Sequence, residues 1–347
     1  MKKLRDFEDS DFLLCIIFMF VIALIFGLVF MPRNGYGASF DEASVAASAS
    51  LPIGADTGAM GGIGTLEEFS SANPAISAIM SEGSMSGTIN YGYFQFEKIK
   101  LETVSGSVAG KIGSAVLQVG FAHGETPLRF LNPQESFRIK KSDTIDFQFG
   151  GKVSNGIFIA GDELYFGVGY AFTEGVQGGV FLVQTSKGII ANEGEIESYS
   201  HSGTIGFAYK PIKNVTLGGF GSRIWTTSQL KVNGWKDSET KSFHDVGHLG
   251  FSVKAFEGTT LAGDYQHLSF SDSETKIDQY FLGVEQYLIK DTLAVYGGWA
   301  NGGLTTGIGV YFKNGGLNLS YGHNIAKETK EFFGSCEALM ASGYFNF

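Results

Sequence analysis

One C-terminal stretch, residues 287–324, constrains the fold of this 347-residue chain more than any other part. Along it, apolar residues alternate with small or polar ones in three short segments, joined by Asn-Gly turns at residues 301–303 and 314–315. A period of two, with a turn about every dozen residues, is typical of antiparallel hairpins. Asn-Gly favours such hairpins because both central residues of a type I′ turn need positive φ. The stretch therefore predicts hairpins with one apolar face and one small or polar face.

The two-faced pattern predicts how the hairpins assemble. An apolar face opposite a small or polar face fits a barrel wall with lipid outside and a polar or packed lumen inside. The mean hydropathy of +0.07 is too polar for a bundle of membrane-spanning helices and natural for half-polar strands. An open strand edge in hydrocarbon would leave backbone groups unpaired at a cost of several kcal/mol each. The sequence thus predicts an all-β fold, a closed antiparallel transmembrane β-barrel.

The strand pattern predicts about fourteen strands, an even number as in single-chain bacterial barrels. In this count, 94–108 is one strand and 143–152 is a wall strand. Because the register before residue 163 is ambiguous, about twelve or sixteen strands are the alternatives. From residue 197 onward, tight connections alternate with longer ones. If the C-terminus is periplasmic, residues 230–242 and 324–335 lie outside the cell and the turn at 313–315 lies in the periplasm.

Residues 1–38 are predicted to be a signal peptide. Basic residues at 2–5 precede an uncharged run from Phe12 to Phe30, and small residues follow at 35–38. This order is typical of export signals. Because the run is longer than a usual signal core, an uncleaved anchor helix is the alternative. Export predicts that the barrel lies in the outer membrane of a Gram-negative bacterium, surrounded by its lipid.

The segment 39–86, between the signal and the predicted barrel at 87–347, has a different composition. It is rich in small residues, lacks the alternation of a strand, and contains Pro74. A periplasmic linker and a plug inside the lumen both fit these features. The length and the small residues favour a plug.

Motifs at both ends of the chain resemble a known family. Residues 54–62 (GADTGAMGG) and 71–75 (SANPA) resemble the N-terminal signature of FadL-type and PorV-type outer-membrane proteins. Residues 282–287 and the hairpins at 292–312 are similar to the closing hairpins of those proteins. In the FadL branch, the resemblance implies a plugged barrel through which hydrophobic molecules pass, with Asn73, Pro74 and Ala75 at the gate. An ordinary loop turn is the competing interpretation of Asn-Pro.

Two function hypotheses follow from these motifs. The first is passive transport of hydrophobic or small solutes, gated by the N-terminal plug. The second, implied by the PorV branch, is a structural or secretion-accessory barrel that binds a protein partner at its extracellular loops and transports no small molecule. The sequence identifies neither the solute nor the oligomeric state.

Charged residues on the polar face of three strands are candidates for the lumen. If Leu261 and Tyr265 face lipid, Asp264 faces inward, and the same alternation turns Lys254 and Glu285 inward. Placing a charged side chain in the barrel interior costs free energy unless it is hydrated or paired with an opposite charge. These residues could line a solute path, but pairing across the interior or with the plug is the favoured interpretation.

Other classes of function lack support in the sequence. The net charge of −10 argues against a nucleic-acid partner. The few His and Cys residues are too scattered for a metal site, and no cofactor motif is present. His267 and Ser269 share a strand face but fall near the outer rim, so no enzyme is predicted. Aromatic residues near strand ends are assigned to interface girdles: Tyr280, Trp299, Phe312, Tyr321, Tyr344, Phe345 and Phe347.

Overall fold

The computed structural model describes most of the chain from residue 85 onward, together with Ala55 and Met60. The described residues are 55, 60, 85–96, 100–125, 137–142, 145–149, 158–173, 176–191, 194–232, 235–236, 239–271, 276–325 and 334–347. In this part of the chain, no helix is long and apolar enough to cross a membrane. The predicted signal peptide lies outside the described residues.

Nearly all described residues belong to β-strands. The strands are β1 (Met85–Phe96), β2 (Lys100–Ile112), β3 (Ala115–Glu125), β4 (Phe137–Ser142), β5 (Ile145–Phe149), β6 (Phe158–Thr173), β7 (Val176–Ala191), β8 (Gly194–Ile212), β9 (Val215–Val232), β10 (Trp235–Lys236), β11 (Thr240–Phe256), β12 (Thr259–Phe270), β13 (Lys276–Ile289), β14 (Leu293–Ala300), β15 (Gly303–Phe312), β16 (Gly315–His323) and β17 (Cys336–Asn346).

Fourteen of these strands close into one antiparallel barrel. Each wall strand pairs with the next one along the chain, with β3 passing directly to β6 and β9 to β11. The last strand, β17, pairs with the first, β1, from Phe96 opposite Cys336 to Ser86 opposite Asn346. Strands β4 and β5 form a separate hairpin, and the short β10 pairs with β9 alone. The predicted fold class is therefore confirmed.

The predicted strand count is right, but two of its assignments are wrong. The predicted strand at 94–108 spans the end of β1 and most of β2, and the predicted wall strand at 143–152 falls on β5 in the separate hairpin. The errors cancel in the total. The first has a local cause, because no Gly, Pro, Asn or Asp marks a turn between Phe94 and Thr103. With this correction, β3 ends and β6 begins at the end of the barrel that carries the longer connections, which resolves the ambiguity before residue 163.

Short turns gather at one end of the barrel, called here the tight-turn end. They include residues 257–258 and 290–292, where Gly258 has φ +76° and Asp291 has φ +53°. Lys290 donates a hydrogen bond to Glu257 at 3.1 Å between these turns, and this bond raises the pKa of Lys290. The opposite end, called the loop end, includes 301–302. Asn301 and Gly302 both have positive φ, as the type I′ prediction requires.

The second Asn-Gly prediction is wrong in its detail. The turn lies at Lys313 and Asn314, Gly315 already belongs to β16, and neither Asn314 nor Gly315 has positive φ. A hairpin forms there as predicted, but its turn is not of type I′.

The two faces of the wall have the polarity of a membrane barrel. On the outward face, Leu304 and Leu317 are 66% and 55% exposed. On the inward face of the same strands, Thr305 and Asn318 are only 7% and 2% exposed. A water-soluble sheet would have the reverse arrangement, because exposing large apolar side chains to water is costly. The apolar outer surface fits a lipid environment.

The pairing places residues 239 and 314 at opposite ends of the barrel. We predict that the loop end faces the outside of the cell. Single cysteines at Glu239 and Asn314, each in a Cys336→Ala background, are the probes. With an impermeant thiol reagent on intact cells, the cysteine at 239 should be labelled and that at 314 only after lysis. Labelling at 314 alone would mean that the barrel is inverted.

Candidate functional site

Buried apolar side chains fill part of the barrel interior. They come from strands β12, β13, β14, β17 and β1 and from the loop after β16. Ala55 of the N-terminal segment belongs to the same cluster. Its members, called the inner cluster, are Ala55, Phe94, Phe96, Ala262, Phe281, Ala300, Ile325, Cys336, Ala338 and Met340, with Met60 and Leu101 packed against it.

Ala55 is held by the inward face of the last strand. Its side chain is fully buried, and its backbone N–H donates a hydrogen bond of 2.5 Å to the hydroxyl oxygen of Ser342. Ser342 alternates with the outward, exposed Leu339 and Phe345, so its side chain points into the barrel. Ala55 thus contacts the wall from inside.

Met60 lies against β13 at a position where only a glycine fits. An ideal Cβ built on Gly283 would lie 2.5 Å from the Met60 carbonyl oxygen and 2.7 Å from the Met60 Cβ. Gly283 pairs with Gly298 on β14, and both belong to the inward phase that includes Phe281. The absence of a side chain at 283 therefore lets the backbone of residue 60 lie directly on the inner wall.

A cluster of tyrosines lies beside Met60 toward the tight-turn end. Met60, Tyr287 and Tyr311 pack against the buried Ala294 and Tyr296. The Tyr296 and Tyr311 hydroxyls are hydrogen-bonded to each other, and the ring centroids of Tyr287 and Tyr311 are 5.5 Å apart. Inward tyrosines combine apolar rings with hydroxyls that need partners, so this cluster gives the inner wall a semi-polar surface.

One predicted girdle residue belongs to this inner face instead. Tyr344 lies opposite Gly316 on β16, its ring would collide with a Cβ there, and its centroid is 6.1 Å from that of Tyr311. Its girdle assignment is wrong because β17 alternates with Phe345 outward, which a sequence position near a strand end does not reveal.

The predicted gating residues Asn73, Pro74 and Ala75 lie outside the described residues. Of the predicted lumen residues, Asp264 is buried on the inward face, with its carboxylate oxygen 3.5 Å from the His248 Nδ1. Glu285 pairs with Tyr296 in the inward register. Lys254, opposite Thr260, is exposed near the tight-turn end. A role for these residues in a solute path stays a prediction.

The structure also brings together a His–Asp pair that the sequence analysis missed. His267 Nδ1 is 2.7 Å from Asp278 Oδ1, which accepts a second hydrogen bond from the Tyr265 hydroxyl at 2.7 Å. These residues lie on neighbouring strands, so only the β12–β13 register could have revealed the pair. Among the described residues, no hydrogen bond joins Ser269 to His267.

Comparison with solved structures finds barrels of the same fold. The toluene transporter TbuX of Ralstonia pickettii matches with a TM-score of 0.56 and 13% identity, over 85% of this chain and 98% of that one. The toluene transporter TodX of Pseudomonas putida matches with a TM-score of 0.53 and 11% identity, over 85% and 97%. The chain shares their fold. The resemblance to FadL-type barrels is thus confirmed at the level of the fold. No family model and no curated protein matches the sequence.

Proposed function

We propose that this protein is an outer-membrane channel for passive entry of hydrophobic or small solutes, and that its N-terminal segment is the gate. The observation that carries the proposal is the seating of Met60 on Gly283, beside the tyrosine cluster. A segment that contacts the wall from inside narrows the path along the lumen. A fold shared with two toluene transporters supports transport of hydrophobic solutes.

The contacts of the segment are suited to reversible closure. Within the described part of the chain, Ala55 is held by one hydrogen bond to Ser342, and Met60 by apolar packing. A typical intramolecular hydrogen bond contributes about 1 kcal/mol net, so its loss does not prevent the segment from moving. The wall is held by continuous strand pairing and does not depend on these contacts. The segment can therefore shift while the barrel stays closed as a sheet.

The outer surface of the barrel indicates a membrane environment. Large apolar side chains cover the outward face, and an aromatic pair, Trp225 and Phe243, lies outward on β9 and β11 toward the loop end. Aromatic residues at this level fit the membrane interface. We propose that an export signal at residues 1–38 delivers the chain to the outer membrane of a Gram-negative cell.

An uptake comparison tests the channel. Cells that express the protein should take up the hydrophobic dye N-phenylnaphthylamine faster than cells with an empty vector, and a monosaccharide of similar mass at an unchanged rate. Deletion of residues 65–80 should leave a folded barrel with altered dye entry, because the described wall strands pair with one another in a closed sheet. Dye entry equal to the vector control in both forms would reject transport and favour a barrel that binds a protein partner.

A further inference from the structure

A polar row crosses the inner wall, away from the tyrosine cluster. His248, Gln266 and Gln279 lie opposite one another on β11, β12 and β13. Residues directly opposite on one face have Cβ atoms about 4.5–5.5 Å apart, so the three side chains form a continuous patch. Gln266 and Gln279 are fully buried.

Part of this patch lacks hydrogen-bond partners. Among the described residues, neither amide atom of Gln279 has one, and the Nδ1 of His248 has only the Asp264 carboxylate oxygen beside it, 3.5 Å away. Buried polar groups in native structures are nearly always paired, so each exception calls for a missing partner. Gln279 offers one acceptor and two donor hydrogens, and His248 Nδ1 can donate or accept according to its tautomer.

Apolar side chains lie around the polar row, together with the buried carboxyl group of Asp264. Phe220 stacks on the His248 ring, with centroids 4.3 Å apart and an interplanar angle of 15°. Toward the loop end, Leu268 lies one inward position from Gln266, and toward the tight-turn end Phe281 lies one inward position from Gln279. A ligand that fits must therefore present one polar group on an otherwise apolar body.

The charge of the surroundings narrows the ligand class. Asp264 faces inward one position from Gln266, so a bound carboxylate would meet a like charge in a desolvated site. Lys254 lies six residues along β11 from His248, roughly 20 Å at the usual rise per residue, too far to compensate. A hydrocarbon would leave the amide of Gln279 unpaired. A hydroxyl both donates and accepts, and so suits Gln279.

We propose that His248, Gln266 and Gln279 bind the hydroxyl group of neutral, otherwise apolar solutes, such as phenols or medium-chain alcohols. The inference rests on the proposed function for its biological meaning, since it specifies which hydrophobic solutes the channel favours. The predicted binding preference itself can be measured whether or not the protein transports the solute.

The test compares two probes that differ by one hydroxyl, 4-ethylphenol and ethylbenzene. Binding to the purified full-length barrel in detergent is measured by calorimetry against detergent blanks. Any cost of opening the lumen is common to both probes and cancels in the ratio of their affinities. The wild type should prefer 4-ethylphenol about tenfold, the order expected when a buried polar site gains or loses its partner.

Gln279→Leu keeps the side-chain volume and removes the amide. It should bring the affinity ratio close to one by weakening 4-ethylphenol binding, without lowering the melting temperature of the barrel. The matched control is Gln118→Leu on β3, halfway around the barrel, where the Oε1 of another buried glutamine has no hydrogen-bond partner among the described residues. In this control, the ratio of the affinities for 4-ethylphenol and ethylbenzene should equal that of the wild type. His248→Phe, which preserves the stack on Phe220, should lower the ratio as Gln279→Leu does.

A wild-type ratio near one would overturn the proposal, because the amide would then be satisfied by water. An unchanged ratio in Gln279→Leu would also overturn it. If the ratio behaves as expected but neither probe enters cells faster with the barrel than without it, the binding site stands and the proposed transport function fails.

Discussion

Cells that carry Gly283→Ala should take up N-phenylnaphthylamine about tenfold faster than cells that carry the wild-type barrel. The added Cβ would lie 2.5 Å from the Met60 carbonyl oxygen and 2.9 Å from the Met60 Cα. These are backbone atoms, so no side-chain rotation relieves the overlap. Overpacking of this kind costs about 1–3 kcal/mol, and 1.4 kcal/mol corresponds to a tenfold change in equilibrium. The closed state bears that cost, and the open state does not.

The matched control is Gly297→Ala on the neighbouring strand. Gly297 faces outward, and its added Cβ would lie 3.7 Å from a Val284 methyl group, an ordinary contact. Both substitutions place alanine in the same strand pair, so they share any general effect on the sheet. Dye entry should rise in Gly283→Ala and stay unchanged in Gly297→Ala. An equal rise of dye entry in both variants would mean that the substitutions act on the barrel wall. No rise in either variant would mean that the gate lies elsewhere.

Strand alternation allowed the fold to be predicted over most of the barrel. Between residues 259 and 323 the predicted strands match the observed ones within a few residues, because each has an unbroken period of two and a marked turn. The prediction was wrong where such a turn is missing, between β1 and β2. It was also wrong for the hairpin β4–β5, whose alternation is that of a strand although it does not join the wall.

The inner site was harder to predict, because it depends on which strands are neighbours. The inward glycines Gly283 and Gly309 look alike in the sequence but make room for different neighbours. Gly283 contacts Met60, but Gly309 makes room for the Tyr296 and Tyr311 hydroxyls. The row from His248 to Gln279 is likewise invisible in the sequence, because its members are joined only by the registers of three strands. Alternation predicts the facing of a residue but not its neighbours across the sheet.

A disulfide between residues 60 and 283 should close the channel reversibly. The Met60 Cβ lies 2.7 Å from the ideal Cβ of residue 283. Disulfide-bonded residues have Cβ atoms about 3.8 Å apart, so the two backbones need to separate by only about 1 Å. The variant is Met60→Cys with Gly283→Cys, in a Cys336→Ala background that removes the buried free thiol. The periplasm is oxidising and favours formation of the bond.

When the disulfide is reduced, the side chain at 283 should act as alanine does there and displace Met60. The disulfide-bonded and reduced forms of one protein thus represent the closed and open states of the proposed gate. Each single-cysteine variant, in the same background, controls for the reducing agent. Neither should change its dye entry on reduction.

The rate of N-phenylnaphthylamine entry into cells with the double-cysteine barrel, before and after reduction, tests the gate most directly. The account predicts entry at or below the wild-type rate while the disulfide is intact, and entry about tenfold faster once it is reduced. Formation of the disulfide with equal entry rates before and after reduction would contradict it, because the segment would then lie against the wall without controlling passage.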